Sequence, residues 1–309
     1  MSPPPLVSIG IPTFNRADQL RQAIASCCDQ TYMNLEIVIS DNASTDSTPD
    51  VCSRFAQLDA RVRVTRQAVG IGREPNFAAV LRAATGELFM WLSDDDRLDR
   101  QYVERCAASL VADSESVLAV GSIRYFHDDG ELEIVETVPP GMASADPADR
   151  IVAYLKAVGL NGQYYGVMRR AAAVSAFYPK VLGGDWMFVA QLVALGKAIP
   201  VAGATLDRRL DGASSDMQSL AQAYGLRRRW GRDAYLWVIP MFVRHVVRGT
   251  GSFAVMSHGG RLRAAVGLSG VMVSRWWWFT GREQLGIHLL GRIRVRARRL
   301  LRRGASSRS

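Results

Sequence analysis

The stretch Leu88-Phe89-Met90-Trp91-Leu92-Ser93-Asp94-Asp95-Asp96 decides the fold of this chain. A run of large apolar side chains stops at three consecutive carboxylates. Such a run, bounded by polar residues, predicts a buried strand that delivers acid groups to its C-terminal edge. Three adjacent aspartates repel one another, so their burial is unfavourable unless a cation or hydrogen-bond donors offset the charge.

Two interpretations of the acidic triplet are open at this point. Carboxylate oxygens with access to water suit a hard divalent ion, Mg2+ or Mn2+, held partly by the phosphates of a substrate. Alternatively, the aspartates form an acidic loop that caps the next helix, because Asp is a favoured N-cap residue. The remainder of the sequence has to distinguish between them.

Length and cysteine usage limit the class of protein. A chain of 309 residues with 48% hydrophobic content can bury a sizeable core, which predicts one large domain with an appendage. Cys27, Cys28, Cys52 and Cys106 fit no zinc-ligand spacing, and the adjacent pair disfavours a regular disulfide framework. Reduced thiols and the lack of a secretory signal at the N-terminus predict a cytoplasmic protein.

The net charge of +9 is unevenly distributed. Residues 224–309 contain 18 Arg, one Asp and one Glu, a net charge of +16, so residues 1–223 carry −7. An acidic body with a basic tail indicates a polyanionic partner for the tail, either a nucleic acid or an anionic membrane surface.

Short apolar runs alternate with helical patterns in the first 121 residues. Strands are predicted at 6–12, 35–40, 61–65, 88–92 and 117–121. Helices are predicted at 18–30, from the polar cluster after the second strand to about 58, at 74–84 and at 99–111. Strand–helix alternation with short links predicts right-handed βαβ units and a parallel sheet. The second half predicts a hairpin over 123–140 with its turn at Asp129-Gly130, a strand at 163–168, and helices at 147–160, 171–177 and 183–195.

Polar side chains follow three of the predicted strands. Thr13 and Asn15 follow the first strand, Asp41 and Asn42 the second, and the acidic triplet follows the fourth. Ligands of such sheets bind beyond the carboxyl ends of the strands, so we expect the three clusters to meet in one site. Asp185 stands at a predicted helix start, where it is either an N-cap or a functional carboxylate.

These motifs together resemble the inverting glycosyltransferases of family 2, which have the GT-A fold. The matching segments are Ile11-Pro12-Thr13-Phe14-Asn15-Arg16, Glu36 to Asp46, Gly86-Glu87 leading into Ser93-Asp94-Asp95-Asp96, and Gly184-Asp185-Trp186. The resemblance implies an α/β protein with a mixed, mostly parallel sheet flanked by helices. Asn42, Gly184 and Ser93 depart from acids that are usual at their positions in the family.

The resemblance also implies roles for single residues. The nucleotide would be held by Pro12, Thr13, Asn15, Asp41, Asn42, Arg73 and Asp94, with Asp41 accepting a hydrogen bond from the base. Asp95 and Asp96 would bind Mn2+ or Mg2+, which stabilises the departing diphosphate. Asp185 would be the general base, and the acceptor would contact Trp186, Arg208 and Arg209.

The C-terminal part differs in character from the body. The apolar segments Ala234–Val243 and Ala264–Val273 are too short to span a bilayer. Arg275-Trp276-Trp277-Trp278-Phe279 has the composition of an interfacial anchor, and the following residues predict a basic amphipathic helix to about residue 303. Residues 275–303 therefore predict binding to an anionic membrane surface. A nucleic-acid contact and a solvated basic end are the alternatives.

The sequence predicts a GT-A domain over 1–215, with a nucleotide-sugar half at 1–122 and an acceptor half at 123–215. A helical, basic extension would follow over 216–309. The predicted enzyme moves one sugar from a nucleoside-diphosphate sugar to a lipid-linked or saccharide acceptor at the inner face of the cell membrane, with no nucleic-acid partner. The alternatives are a nucleotidyltransferase on a similar sheet and a non-catalytic protein that binds membranes or nucleic acid.

Overall fold

The computed structural model describes residues 3–127, 132–176, 183–210 and 234–284. Its first half contains strands β1 (Val7–Thr13), β2 (Leu35–Asp41), β3 (Val62–Arg66) and β4 (Leu88–Trp91), joined by helices α1 (Ala17–Cys28), α2 (Thr48–Leu58) and α3 (Arg73–Ala83). β1 pairs in parallel with β2 and β4, and β2 pairs in parallel with β3. The predicted parallel βαβ arrangement of this half is therefore confirmed.

The second half turns the sheet into a mixed one. It contains β5 (Arg97–Leu98), α4 (Tyr102–Ala112), β6 (Ser116–Phe126), β7 (Leu132–Glu136), α5 (Pro147–Ala157), β8 (Val167–Arg169), α6 (Arg170–Ser175), α7 (Gly184–Leu195) and β9 (Lys197–Arg209). Among the described residues the strand order is β3-β2-β1-β4-β8-β6-β9-β5, with β7 beside β6. β8 lies antiparallel between β4 and β6, and it joins the two halves.

The central strand β1 is buried along its whole length, because helices cover both faces of a parallel sheet. Gly10 in this strand has no side chain, and a Cβ there would lie 2.8 Å from Val80 of α3 and 3.0 Å from Phe89 of β4. This glycine allows α3 to pack closely on the sheet. All four cysteines are free thiols, and Cys28 is the one that is not fully buried.

The strand predicted at Gln163–Met168 is wrong over most of its length. Residues Gly162–Tyr165 form a 3-10 turn, and only Val167–Arg169 form a strand. Successive side chains of a strand point to opposite faces, whereas the adjacent rings of Tyr164 and Tyr165 pack edge to face at 5.2 Å. That contact requires a turn at this place.

A buried polar network closes the N-terminal edge of the sheet. The Ser8 hydroxyl donates to Glu36 Oε1 at 2.6 Å and accepts from the backbone N–H of Gly86 at 2.9 Å. The Thr85 N–H donates to the same Glu36 oxygen, and Arg63 pairs with the other oxygen at 2.7 Å. Every member is satisfied, so this edge stabilises the start of β4.

The C-terminal extension packs on the body through helices α8 (Ala234–Arg248) and α9 (His258–Gln284). Gly267 of α9 lies against α5, where a Cβ would approach Val152 Cγ2 to 2.5 Å. In the ranges that the structure describes, no helix has both the length and the apolar character needed to cross a membrane. The hairpin turn at Asp129-Gly130, the 215/216 boundary and the predicted helix beyond 284 lie outside those ranges.

Replacement of Gly86 tests the close packing before β4. An added Cβ would lie 2.5 Å from the Leu6 carbonyl oxygen and 2.8 Å from the Leu88 carbonyl oxygen, both of them backbone atoms. We expect Gly86→Ala to lower the free energy of unfolding by about 1–3 kcal/mol in urea titrations. Gly270→Ala in α9 is the control, because its Cβ meets nothing within 4 Å; it should stabilise by up to about 1 kcal/mol. Equal effects of both changes would contradict the packing described.

Candidate functional site

The C-terminal ends of β1, β2 and β4 meet at one edge of the sheet. Thr13 lies opposite Asp41 in the β1–β2 ladder, and the Thr13 hydroxyl donates to Asp94 Oδ2 at 2.8 Å. The backbone N–H of Asn42 donates to the Thr13 carbonyl oxygen at 3.0 Å. The structure thus brings together the three polar clusters that the sequence places after these strands.

Asp41 has one carboxylate oxygen that accepts a hydrogen bond and one that, within the part of the chain that the structure describes, does not. Oδ1 accepts a hydrogen bond from the backbone N–H of Ser44 at 3.0 Å. Oδ2 is buried without a hydrogen-bond partner among the described residues, although Arg66 Nε lies 3.6 Å away. A buried acceptor without a donor is unfavourable, so this oxygen is suited to an N–H group of a bound ligand.

Two amides shape the loops around Asp41. Asn15 adopts a positive φ of 52°, and its Oδ1 accepts from the backbone N–H of Thr45 at 2.8 Å. Asn42 Oδ1 accepts from the backbone N–H of Ile71 at 2.8 Å, while Pro12 is buried within β1. Both amide oxygens therefore hold loop backbone in place, and a direct contact of these residues with a nucleotide stays a prediction.

The start of α3 borders the same edge. Arg73 is its first residue, and its guanidinium carbon lies 5.8 Å from the centre of the Phe77 ring. Asn76, which the sequence analysis missed, is buried and bonds Ser40 twice: Nδ2 donates to the carbonyl oxygen at 3.0 Å, and Oδ1 accepts from the hydroxyl at 2.6 Å. The sequence signal that could have identified Asn76 is a polar amide on the buried face of a helix. Asn76 fixes α3 to the end of β2.

The first two aspartates of the triplet face β1 and the loop after it. Asp95 Oδ2 pairs with Arg16 Nη1 at 2.9 Å, and Asp95 Oδ1 accepts from the Ser93 hydroxyl at 2.7 Å. Burial, followed by the negative charge of Asp95, raises the pKa of Asp94 to about 7, against the hydrogen bond from Thr13. The protein therefore leaves negative charge at this edge incompletely compensated.

Asp96 faces the opposite side, toward β9. Its Oδ2 pairs with Arg208 Nε at 2.9 Å, and its Oδ1 accepts from the backbone N–H of Arg209 at 3.1 Å. The Arg208 guanidinium also lies 4.0 Å from the centre of the Tyr165 ring. Burial raises the pKa of Asp96 to about 6, although the charge of Arg208 opposes that shift. Arg208 is thus occupied by Asp96, and the acceptor contacts assigned to Arg208 and Arg209 stay predictions.

Asp185 lies in the first turn of α7, after Gly183 with φ of 79°. Asn161 Nδ2 donates to Asp185 Oδ2 at 2.8 Å, and the Tyr154 hydroxyl donates to Asn161 Oδ1 at 2.7 Å. Asn161 was missed as a functional candidate, although Asn161-Gly162 is a turn signal in the sequence. Asn161 adopts a positive φ of 56°. Trp186 is buried, and its contact with the acceptor stays a prediction.

An aromatic cluster sets the position of α7 relative to β4. The Trp91 and Tyr164 rings are stacked, with centroids 4.7 Å apart and planes 7° apart, and Phe188 packs edge-on to Trp91 at 5.0 Å. Trp91 precedes Asp94 by three residues, and Phe188 follows Asp185 by three. The same cluster therefore supports the acidic edge and the start of α7.

The residues at this edge fit a hard divalent cation. Carboxylate oxygens are the preferred ligands of Mg2+ and Mn2+. Burial first, and then the charge of Asp95, raise the pKa of Asp94, so a bound cation would stabilise its ionised form. Asp95 and Asp96 are the predicted ligands; Asp96 pairs with Arg208 on the side of β9, so its role as a ligand stays a prediction, whereas Asp94 and Asp95 lie together on the side of β1. Within the described ranges no three His, Cys, Asp or Glu side chains form a ready ligand set, so oxygens of a substrate would have to complete the shell.

The Asp96–Arg208 pair gives a stability prediction. The Asp96 side chain is 1% exposed and that of Arg208 is 11% exposed. Removal of the Arg208 guanidinium would therefore leave the buried Asp96 carboxylate without a compensating charge. We expect Arg208→Leu to lower the free energy of unfolding by about 3–5 kcal/mol, measured by denaturant titration. Addition of Asp96→Asn to this variant should recover most of the loss.

The pair of Arg124 and Asp207 is a matched control for this experiment. It lies on neighbouring positions of β6 and β9 with an N–O distance of 2.6 Å, but its side chains are 47% and 27% exposed. We expect Arg124→Leu to cost less than about 1 kcal/mol, because water screens the exposed pair. A similar loss for Arg124→Leu and Arg208→Leu would contradict the importance of burial.

Sequence comparison places residues 8–173 in one protein family. These residues match the family model described as "Glycosyl transferase family 2", which covers more than half of the chain. The glycosyltransferase GlyA of Streptococcus pneumoniae serotype 4 is 27% identical over 123 residues, which is 40% of this chain and 17% of GlyA. The chain therefore matches only a small part of this relative.

Solved structures show the same fold at low sequence identity. Residues 1–349 of S. aureus TarS superpose with a TM-score of 0.62 at 13% identity, covering 87% of this chain and 72% of that one; the same fragment is also known with UDP-GlcNAc. The mannosyltransferase PcManGT from Pyrobaculum calidifontis, in complex with GDP-Man and Mn2+, gives a TM-score of 0.51 at 18% identity, covering 88% and 87%. The predicted fold class is confirmed, and the chain belongs to glycosyl transferase family 2 with the GT-A fold.

Proposed function

We propose that this protein is a metal-dependent inverting glycosyltransferase. It would move a single hexosyl or deoxyhexosyl group from a nucleoside-diphosphate sugar to a hydroxyl of a lipid-linked or cell-surface polysaccharide precursor. The observation that carries this proposal is the junction of β1, β2 and β4, where Thr13 links the Asp41 and Asp94 positions directly. Membership of family 2 supports the reaction class.

The donor would lie across this junction. The buried Oδ2 of Asp41, which has no hydrogen-bond partner among the described residues, would accept from a ring N–H of the base, and the ribose and diphosphate would extend toward Asp94 and Asp95. Two proteins with the same fold carry nucleotide sugars in their structures, UDP-GlcNAc in TarS and GDP-Man in PcManGT. The proposal covers nucleoside-diphosphate sugars as a class.

The leaving diphosphate gains negative charge as the anomeric bond breaks. A divalent cation, Mn2+ or Mg2+, would neutralise part of that charge when bound. The chain contributes the Asp94 and Asp95 carboxylates as its ligands, while Arg16 holds the Asp95 side chain in place. Asp96 and Arg208 would also position the triplet from the side of β9.

Asp185 would take the proton from the acceptor hydroxyl. Single displacement with inversion requires one general base and no enzyme nucleophile. Asn161 donates to Oδ2 of this carboxylate, so Oδ1 would be the oxygen that takes the proton. The Tyr154–Asn161–Asp185 chain of hydrogen bonds would keep the base in one orientation during the reaction.

The larger organisation stays part of the proposal. The nucleotide-sugar half would cover residues 1–122, the acceptor half 123–215 and the extension 216–309. The extension would hold the protein as a peripheral protein on the inner face of the cell membrane through residues 275–303, most of which lie outside the described residues.

Replacement of the proposed base tests the mechanism. We expect Asp185→Asn to lower kcat by about 10²–10⁴-fold in a product assay with a panel of nucleotide sugars, with an unchanged thermal midpoint. The fall reflects loss of proton acceptance, so KM for the donor should stay within a few-fold. Asp50→Asn is the control, because Asp50 also lies in the first turn of a helix but belongs to α2. Near-normal turnover of Asp185→Asn would refute the assigned base.

Metal-dependent nucleotide binding tests the assignment of Asp95. Calorimetry with nucleoside diphosphates should show tighter binding with Mn2+ than with a chelator, and Asp95→Asn should reduce that gain by about tenfold or more. Asp96→Asn should keep the tighter nucleotide binding with Mn2+, because Asp96 pairs with Arg208, whereas Asp94 and Asp95 are the proposed ligands of the cation. Loss of the Mn2+ gain in Asp96→Asn alone would reverse the roles of the two aspartates. Absence of nucleotide binding in the unmodified protein would remove the proposed function.

A further inference from the structure

Helices α8 and α9 form an apolar cleft on the outer side of the extension. The cleft has a volume of about 430 Å³ and is lined by Ile239, Pro240, Val243, Val247, Ser269 and Met272. Arg244 and Arg248 also line it, one helical turn apart on α8. The cleft thus combines an apolar floor with two cations at its border.

An exposed apolar stripe runs along α9 beside the cleft. Leu262, Val266 and Val273 are 45%, 73% and 52% exposed. At 100° per residue these positions fall in one narrow arc of the helix, together with Ser269 of the cleft. The stripe extends over about 16 Å, at 1.5 Å per residue. Large apolar side chains on one exposed arc indicate a surface that meets an apolar environment.

The charges around the cleft have one sign. The sequence contains no Asp or Glu from residue 234 to residue 282, and within the described part of the chain neither Arg244 nor Arg248 forms an ion pair. Arg263, on another face of α9, pairs with Asp146 near α5. The cations next to the cleft are therefore available to an external anion.

We propose that this surface, defined by Arg244, Arg248, the cleft and the stripe of Leu262, Val266 and Val273, docks on an anionic lipid leaflet. We call it the α8–α9 face. Acyl chains would enter the cleft and cover the stripe, and lipid phosphates would pair with the two arginines. A leaflet supplies both chemistries at the depth that a helix lying in the interface requires.

Other occupants fit the α8–α9 face less well. A second copy in a twofold dimer would bring the same patch against itself and place arginines near arginines, which repel one another. A nucleic acid would satisfy the arginines but would leave the valine stripe without a partner. An anionic leaflet satisfies both parts of the surface.

This inference does not depend on sugar transfer, and it concerns residues that precede the predicted 275–303 anchor. A position-specific probe separates the two membrane contacts. The experiment uses the full chain with Cys28→Ser, since the other three cysteines are buried. A polarity-sensitive fluorophore is attached at Val266→Cys, and a control label at Val111→Cys, which lies on α4 and is 64% exposed.

We expect the emission of the Val266→Cys label to shift to the blue with vesicles of phosphatidylcholine and phosphatidylglycerol. The Val266→Cys label should not shift with vesicles of phosphatidylcholine alone. The Val111→Cys label should not shift with either kind of vesicle. The double variant Arg244→Ala/Arg248→Ala should lower the partition coefficient about twenty-five-fold, since each arginine near an anionic leaflet contributes about fivefold. The control variant Arg21→Ala/Arg54→Ala removes the same amount of charge from α1 and α2, and it should change the partition coefficient little.

Three outcomes would overturn the proposal. The first is protein that does not bind these vesicles, or that binds them while the Val266→Cys label stays unshifted. The second is a shift without vesicles that grows with protein concentration, which would identify a second copy as the occupant. The third is an equal loss of partitioning in both double arginine variants, which would reduce the effect to net charge.

Discussion

Three successive carboxylates at the end of β4 are the constraint on which the site depends. Buried charges require a partner, and each aspartate obtains it from a different part of the chain. Thr13 bonds Asp94, Arg16 pairs with Asp95, and Arg208 of β9 pairs with Asp96. The last pair joins residues 112 positions apart, so the acidic edge is complete only when the second half of the sheet has formed.

The segment of residues 160–165 connects the two ends of the site. The Asn161 side chain bonds Asp185, the Tyr164 ring stacks on Trp91 before the acidic triplet, and the Tyr165 ring lies against Arg208 behind it. The segment is held by its own contacts, because the Gly162 N–H donates to Glu136 Oε2 at 2.9 Å. A single turn therefore links the proposed base to the proposed cation ligands through direct side-chain contacts.

The sequence was sufficient for the parallel half of the sheet, because β-branched runs and helix caps are local signals. It also predicted that Thr13, Asp41 and Asp94 converge, since parallel strands end at the same edge. Partners such as Arg208 and Asn161 could not be found in this way. Their contacts with Asp96 and Asp185 depend on which strands become neighbours, and β8 enters antiparallel between β4 and β6 without a periodic signal of its own. The turn at Gly162–Tyr165 was mistaken for a strand for the same reason.

The extension is attached to the helix that carries the proposed base. Gln191 of α7 is fully buried, and its Oε1 accepts from the backbone N–H of Ser252 in the link between α8 and α9 at 2.9 Å. Asp185 lies in the first turn of α7, and this helix packs on the link, so the α8–α9 face and the proposed base belong to one packed unit. With the proposed docking of this face on a leaflet, the membrane plane would fix the direction from which the proposed lipid-linked hydroxyl approaches Asp185. Such a connection would restrict the acceptor by geometry, before any contact with its sugar is made.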